Sequence, residues 1–416
     1  MSSFHTVVIG GGDIGVSVAY YLARRGQKVT LIEQDEIASG CSQGNAAQIT
    51  PGHLPLNQPG AIRRNLRLLL MPSSPLFIPP RFDLKLWAWL WRFQRASSAE
   101  HVRKATKILC QLGLASFELF EELASEIDFG FCKSGRLEVC HKEKTLKRIR
   151  EEGELLASLG FETRMLSGPE LSEYEPVISK PMAGALYLPL SAHCHPEKFV
   201  VELARAAEAL GVHVRTHTKV KDLEIRGGRA TGVVTEGDMI EADAVVLACG
   251  AWMDLASRLG LRMPIVPGKG YHLDLDLDDK FLGPKLRPKT PFILVERRIF
   301  VSPVDDFLRL AGTMEFSGFN LKLRKSRLKM LISGASEYLE GLDQLKVRSR
   351  WTHMRPMSCD GLPFIGKAPR AENIWIATGH GMLGLTQGPI TGKLIAEWIT
   401  DGQPGMDITA LRPDRF

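Results

Sequence analysis

Gly10, Gly12 and Gly15 stand at GxGxxG spacing, and a carboxylate, Glu33, follows roughly twenty residues beyond them. Together these residue types can hold the diphosphate and ribose of a dinucleotide. Gly10 permits a tight turn, Gly12 lets a diphosphate approach the backbone, and Gly15 lets a helix pack closely on the strand before it. Glu33 can accept hydrogen bonds from a ribose hydroxyl, and its charge would repel a 2'-phosphate. A glycine turn without a ligand is the competing reading. The elements that must position these groups are legible around them. The β-branched run Thr6–Ile9 reads as a strand, the residues through Ala19, Leu22 and Ala23 as a helix, and Lys28–Ile32 as a second strand ending at Glu33. The helix then turns free N–H groups and the positive end of its dipole towards the diphosphate.

Three further stretches could complete such a site. Ile37 to Gln48 is small, polar and glycine-containing, which suits either a backbone laid along a bulky cofactor or a solvent loop. Ala242 to Trp252 is an apolar strand ending in small residues, as expected where a parallel strand abuts a ligand. Glu372 to Gly381 runs from strand to glycine turn, and Pro389 to Trp398 continues as a helix, aiming a second helix amino terminus at the site. From about Gly60 to Cys194 the glycine turns give way to helical and aromatic segments, so a domain boundary is expected there. A helix over Pro196 to Leu210 and strands at Val212–Val214 and Gly232–Val234 return to the nucleotide-binding pattern.

The chain is long enough, at 416 residues, for two cores, and its 44% hydrophobic and 24% charged content is that of a globular protein. A net charge of +6, from 53 basic and 47 acidic side chains without long runs, argues against nucleic-acid binding and leaves room for anionic substrates or an anionic membrane surface. Seven cysteines without CxxC pairs argue against a disulfide framework and against a zinc site, and no metal is expected. They fit a reducing cytoplasm. Met1 to His5 leads straight into a strand, leaving no room for a signal peptide, and no apolar run approaches the roughly eighteen residues of a membrane span. Any membrane contact is therefore expected to be peripheral.

Eight motifs in order, GGGDIG (from Gly10), SGCSQGNAAQITPG (from Ser39), RFDLKLWAWLWRF (from Arg81), LACGAW (from Leu247), PGKGY (from Pro267), AGTMEF (from Ala311), RPMSCDGLPFIG (from Arg355) and TGHGMLGLTQGP (from Thr378), resemble the glycine oxidase and D-amino-acid oxidase superfamily, most closely its bacterial D-amino-acid dehydrogenases. The resemblance runs along nearly the whole chain. It implies an α/β fold: a Rossmann-type FAD-binding domain with a parallel sheet, over residues 1–56, 195–265 and 350–416, and a discontinuous α+β substrate domain with a mixed or antiparallel sheet, over 57–194 and 266–349. It implies FAD as cofactor, held by Gly10, Gly12, Asp13, Ile14, Gly15, Glu33, Gln34, Ser39, Gly40, Ser42, Asn45, Ala46, Gln48, Val220, Cys249, Gly250, Trp252, Arg355, Gly381, Met382, Gly384, Leu385 and Thr386.

The implied reaction is oxidation of a D-amino acid, with hydride transfer from the α carbon of the uncharged amine to flavin and hydrolysis of the imino acid to a 2-oxo acid and ammonia. It needs no strong base. Arg355 is the expected clamp for the substrate carboxylate, because a guanidinium fork matches that group with two parallel hydrogen bonds; bracing its own loop through an ion pair is the alternative. Tyr271 is expected to share the carboxylate or cover the substrate, with an ordinary core tyrosine as the alternative. His53, His353 and His380 are candidates for lining the pocket, His53 and His380 being preferred for their flavin-facing segments. Free N–H groups at Gly384, Leu385 and Thr386 would stabilise negative charge gathering on the flavin. His353, Cys359 and Leu385 depart from the dehydrogenase pattern, which bears on substrate range. Cys41 and Cys359 raise a covalent flavin bond, against which small buried side chains are the preferred reading.

For partners, a small amino-acid substrate and a quinone or other electron acceptor are expected. Arg81 to Arg95 reads either as a basic, aromatic helix on a membrane surface, at the inner face of the cell membrane, or as a helix packed in the substrate domain. The alternatives carried are oxidation of a cyclic or secondary amino acid (D-hydroxyproline, proline, sarcosine or glycine), a partner-dependent flavoprotein subunit, and an NAD-linked enzyme. The oligomeric state is not legible.

Overall fold

The structure, a computed structural model, describes residues 4–60 and 74–416, so the part of the expected substrate domain over 61–73 lies outside the described residues. The β-branched run Thr6–Ile9 forms the strand His5–Ile9, buried on both faces as a central parallel strand must be. It pairs in parallel with Lys28–Ile32 on one side and Ala244–Leu247 on the other. His213–Arg215 and Ile374–Thr378 extend the sheet in parallel, and Phe364–Lys367 closes one edge antiparallel. The strand order places the first strand inside the six-stranded sheet, so successive connections leave it in opposite directions at its boundary with Ala244–Leu247. In such sheets the crevice at the carboxyl ends of those strands is where ligands bind.

Three helices, Asp13–Arg24, Pro196–Ala209 and Gly384–Asp401, pack together over this sheet. The first and last cross so closely that a Cβ at Gly392 would stand 2.5 Å from the Ser17 backbone.

Among the described residues the second sheet has nine strands, one of which, Leu76–Phe77, pairs in parallel beside Phe307–Glu315. Val347–Ser358, Ile265–Asp276, Phe307–Glu315 and Ile299–Val304 pair antiparallel in that order. Phe292–Leu294, Arg136–Cys140, Gly184–Leu188 and Arg164–Ser167 continue it, with one parallel pair between Phe292–Leu294 and Arg136–Cys140. One face carries a core of Leu273 and Leu310 under Leu331 of the helix Lys325–Ala335. The other faces the Ile37 to Gln48 segment of the nucleotide-binding half. The α/β class, with a Rossmann-type parallel sheet and a mixed second sheet, is the one the motifs implied.

We propose that the two sheets mark two domains. One boundary differs from the expectation. Val347–Ser358 pairs along its length with Ile265–Asp276, so residue 350 falls inside a strand of the larger sheet and the chain rejoins the smaller one only at Phe364. The turn residues that mark the crossing, Asp360 and Gly361, come ten residues later than the predicted border.

Candidate functional site

Two helices begin at the crevice without a side-chain cap from their own N-cap residue, Gly12 for Asp13–Arg24 and Leu383 for Gly384–Asp401. The Asp13 N–H is taken by the Ser42 hydroxyl. The next N–H groups of that turn, and those of the first turn of Gly384–Asp401, are available to a ligand. Gly10 and Gly15 are demanded by the protein's own packing: a Cβ on Gly10, at φ 116°, would stand 2.4 Å from the Ala248 carbonyl oxygen, and one on Gly15 would stand 1.8 Å from that of Gly10. A Cβ on Gly12 would meet only the Ser42 hydroxyl, at 3.2 Å, and one on Gly384 nothing within 4 Å, so open space adjoins both helix starts.

Glu33 lies beside the glycine turn and is held by the protein's own backbone. Its carboxylate accepts from the Gly11 N–H at 2.6 Å and from the Asp35 N–H at 3.0 Å. Gln34 beside it is exposed, and Val220 packs against the core at the edge of the sheet. Asp13, at the first position of its helix, is buried, and burial pushes its carboxyl well above the usual range, with only the Ser17 hydroxyl opposing the rise. That shift favours the uncharged form, which would put no negative charge beside a diphosphate.

The Ile37 to Gln48 segment is no solvent loop. The Ser42 hydroxyl accepts from the Asp13 N–H at 2.9 Å, and the Ala46 carbonyl accepts from the Ser302 hydroxyl at 2.7 Å. Gln48 donates to the same hydroxyl at 3.0 Å, and Asn45 folds its own turn by bonding the Ser42 carbonyl and the Ala47 N–H. Thr50 N–H donates to the Thr386 hydroxyl at 3.1 Å, tying the segment to the last helix. Ser39 and Gly40 start it, and Gly40 and Gly44 lie against His353 and Trp351 of the larger sheet, where a Cβ at Gly44 would stand 2.1 Å from the indole. Ile14 packs into the core below. After the strand Ala244–Leu247, Gly250 takes φ 56°, the Cys249 thiol is pushed up to about 12 by burial, and Trp252 stays exposed. Gly381 and Met382 precede the last helix. Two uncapped helix starts, glycine openings and a carboxylate at the second strand fit FAD.

Arg355 sits on the Gly268–Gly270 face of the larger sheet. Its guanidinium lies over Gly270, where a Cβ would come within 2.3 Å. One Nη donates to the Thr313 carbonyl at 3.0 Å and approaches the Met314 sulfur at 3.9 Å. No carboxylate among the described residues forms an ion pair with it, so the internal brace is not what holds it. Burial lowers its pKa, the sign of a cation taken from water without a counter-charge. Sequence reasoning missed what aims this side chain. Thr313 has φ 61° at a bulge where Phe307–Glu315 gains one residue against Ile265–Asp276, and the bulge turns its carbonyl towards Arg355. A β-branched residue in the left-handed region gives no local sequence signal.

Tyr271 is a correction. Strand alternation puts it on the face opposite Gly270 and Arg355, fully buried, with its hydroxyl donating to Glu315 at 3.0 Å. Glu315 in turn pairs with Arg324 and Arg327. The hydroxyl belongs to a closed network in the core and does not share a site with Arg355.

The histidines divide. His53 and His380 border one small cavity, about 30 Å³, together with Met357, Gly381 and Leu383. Burial lowers His53 to about 4, helped by Arg136, and its Nδ1 bonds the Leu54 carbonyl at 2.5 Å, so Nε2 is the ring's acceptor. His380 is lowered to about 3 by burial and bonds the Thr391 hydroxyl at 3.0 Å. His353 stands two residues before Arg355 on the same sheet face, between Trp252 and Trp351 at centroid distances of 5.3 and 5.8 Å, and burial lowers it to about 4. All three are neutral near pH 7. The thiols of Cys41 and Cys359 are both raised by burial, Cys359 to about 12, which leaves neither as a thiolate to bond a flavin.

Arg81 to Arg95 packs against the larger sheet on one side, as the second of its two readings expects, and is exposed on the other. Asp83 caps a helix Leu84–Arg95 by accepting from the Leu86 N–H at 3.0 Å. Its inner side, Leu86 and Trp89, packs against Met314, Phe316 and Met357, and Trp89 donates to the Met357 carbonyl at 3.0 Å. Its outer side is bare. No helix among the described residues is long and apolar enough to cross a membrane.

A model of the family described as FAD dependent oxidoreductase matches residues 5–398. The chain is 31% identical over 409 residues to a D-amino acid dehydrogenase of Methylobacterium radiotolerans, covering 96% of each. It is 30% identical over 421 residues to a D-amino acid dehydrogenase of Bradyrhizobium diazoefficiens, covering 99% of this chain and 98% of that one. Among solved structures, glycine oxidase from Geobacillus kaustophilus superposes with a TM-score of 0.80 at 23% identity, covering 100% of both chains.

Proposed function

The chain belongs to the FAD dependent oxidoreductase family, and from that premise we propose that it is a dehydrogenase of D-amino acids that passes its electrons to a quinone or an artificial dye. The observation that carries the substrate reading is Arg355, a desolvated guanidinium with one backbone carbonyl and no carboxylate. A small carboxylate would supply the missing charge through two charge-assisted hydrogen bonds. The two relatives named D-amino acid dehydrogenase, each matched along nearly its whole length, support the handedness and the reaction type.

Bound FAD supplies a two-electron acceptor for a hydride from the α carbon. The chain's part is to bind and orient. Arg355 fixes the carboxylate, and the bulge at Thr313 fixes Arg355. His353, two residues from Arg355 and held neutral by burial, adds no positive charge beside it. The free N–H groups and positive dipole end at the first turn of Gly384–Asp401 would stabilise negative charge gathering on the flavin. We assign cofactor contact to the glycine turn, to Glu33, to the Ser39 to Gln48 strip, to Cys249, Gly250 and Trp252, and to Gly381 through Thr386.

Anaerobic mixing of the holoenzyme with D-amino acids, L-amino acids and secondary amino acids tests this reading. Loss of flavin absorbance with the D series alone is expected. Bleaching confined to proline, sarcosine or glycine would move the substrate to the secondary amines. Aerobic turnover matching the dye rate, with one peroxide per substrate, would replace the quinone by oxygen.

A further inference from the structure

The helix Leu84–Arg95 buries its inner side against the site and leaves large apolar groups outside. Phe82 is 87% exposed, Leu84 68%, Trp87 59% and Trp91 58%. That side is basic as well as apolar: Lys85 and Arg95 are exposed, and Arg95 lies over the Trp91 ring at 4.8 Å. The only acid from Ser74 to Ser98 is Asp83, which Arg81 neutralises at 2.6 Å. Arg81 also reaches the neighbouring loop, where a Cβ at Gly318 would stand 2.8 Å from its guanidinium. The loop repeats the composition. Phe319, Leu321 and Leu323 are exposed at 59%, 50% and 41%, Lys322 and Lys325 are exposed among them, and no acid occurs from Phe316 to Ser336.

A chain of rings links this face to the neighbourhood of Arg355. Phe319 lies 5.6 Å from Trp252, which lies 5.3 Å from His353, and His353 precedes Arg355 by two residues on one sheet face. We propose that the outer side of Leu84–Arg95 and the loop 317–324 form one docking face for an anionic lipid bilayer, set around the mouth of the site so that an electron acceptor dissolved in the bilayer reaches it without crossing water. The chemistry is complementary: tryptophan and phenylalanine rings settle at the headgroup level, and lysine and arginine draw the face to anionic lipid. A helix of 12 residues spans about 18 Å, enough to lie flat on such a surface.

The test uses the holoenzyme and vesicles, either phosphatidylcholine alone or phosphatidylcholine with phosphatidylglycerol. The wild type should sediment with the anionic vesicles, lose at least tenfold in partitioning at high salt, and show at least tenfold weaker partitioning with phosphatidylcholine alone. Trp87→Ser with Trp91→Ser, and separately Lys85→Glu with Arg95→Glu, should each weaken partitioning at least tenfold. Both should leave melting temperature and dye-linked turnover of a D-amino acid within twofold of the wild type, while turnover of a vesicle-borne quinone falls in proportion to binding. Dye-linked turnover reports separately on the proposed activity, so its failure does not bear on docking. A wild type that stays in solution, or both variants binding like the wild type, would overturn the proposal. So would a wild-type dimer in gel filtration that Trp87→Ser with Trp91→Ser dissolves, since a second copy would then cover the face.

Discussion

Arg309 and Arg355 stand on one face of one sheet, yet one is closed and the other open. Arg309 is 4% exposed and grips Asp274 with two bonds, at 2.8 and 3.0 Å, while its remaining nitrogen donates to the Gln43 and Asn45 carbonyls at 3.1 Å. Asp274 is held below the usual carboxylate range, because its bonds to Arg309 outweigh the cost of burial. Arg355 has a carbonyl, a sulfur and, among the described residues, no counter-ion. The same side chain in the same sheet thus does two jobs. With its carboxylate supplied by the chain it clamps the Ile37 to Gln48 strip in place; with none supplied among the described residues it is left open to the carboxylate we propose it receives.

The sharpest way to break this contrast is to remove each guanidinium in turn. Arg309→Met strands Asp274 as a buried charge and should cost about 3–5 kcal/mol in denaturant unfolding. Arg355→Met should cost no more than about 2 kcal/mol, because it strands no charge and only the Thr313 carbonyl loses its donor, and should retain FAD. Its effect belongs to catalysis. Loss of two charge-assisted bonds to the substrate should lower kcat/KM about a hundredfold or more, and Arg355→Lys should raise KM at least about tenfold. If Arg355→Met unfolds as readily as Arg309→Met, Arg355 is a structural residue.

A smaller effect is expected from the opposite face. Tyr271→Phe removes one bond to Glu315 and should cost about 1–2 kcal/mol of stability while KM stays within twofold. A large rise in KM would return Tyr271 to the site.

The smallest effect is on acid stability. His272, beside Asp274, and His353, beside Arg355, are both lowered to about 4, chiefly by burial. The unfolded chain takes up their protons near the ordinary value of 6.5 and the folded chain only near 4. Stability from both rings is therefore intact above pH 6.5 and declines as pH falls through that window. His272→Asn and His353→Asn should each flatten the fall in melting temperature between pH 6.5 and 4 by a few degrees, and an unchanged slope would show that neither ring is buried neutral.

Local patterns made the nucleotide half legible. A β-branched strand, a glycine turn and an acid at the next strand end are consecutive, and each acts through its neighbours in sequence. The larger sheet was less legible because its meaning lies in register. Only the pairing of Gly270 with His353 reveals that Tyr271 and Arg355 occupy opposite faces, and only the bulge explains why Thr313 aims its carbonyl at a guanidinium. The Ile37 to Gln48 strip was ambiguous for another reason. Small polar residues suit a loop or a wedge equally, and what decides between them is Trp351 and His353, more than three hundred residues away. The border set at 350 fell inside a strand because the turn residues that end it, Asp360 and Gly361, act ten residues further on.

The most direct test of the open guanidinium compares a D-amino acid with the amine formed by deleting its carboxylate. The wild type should favour the acid in kcat/KM by about a hundredfold or more, and Arg355→Met should bring that preference below about tenfold. An undiminished preference in Arg355→Met would contradict the assignment of Arg355 to the substrate carboxylate.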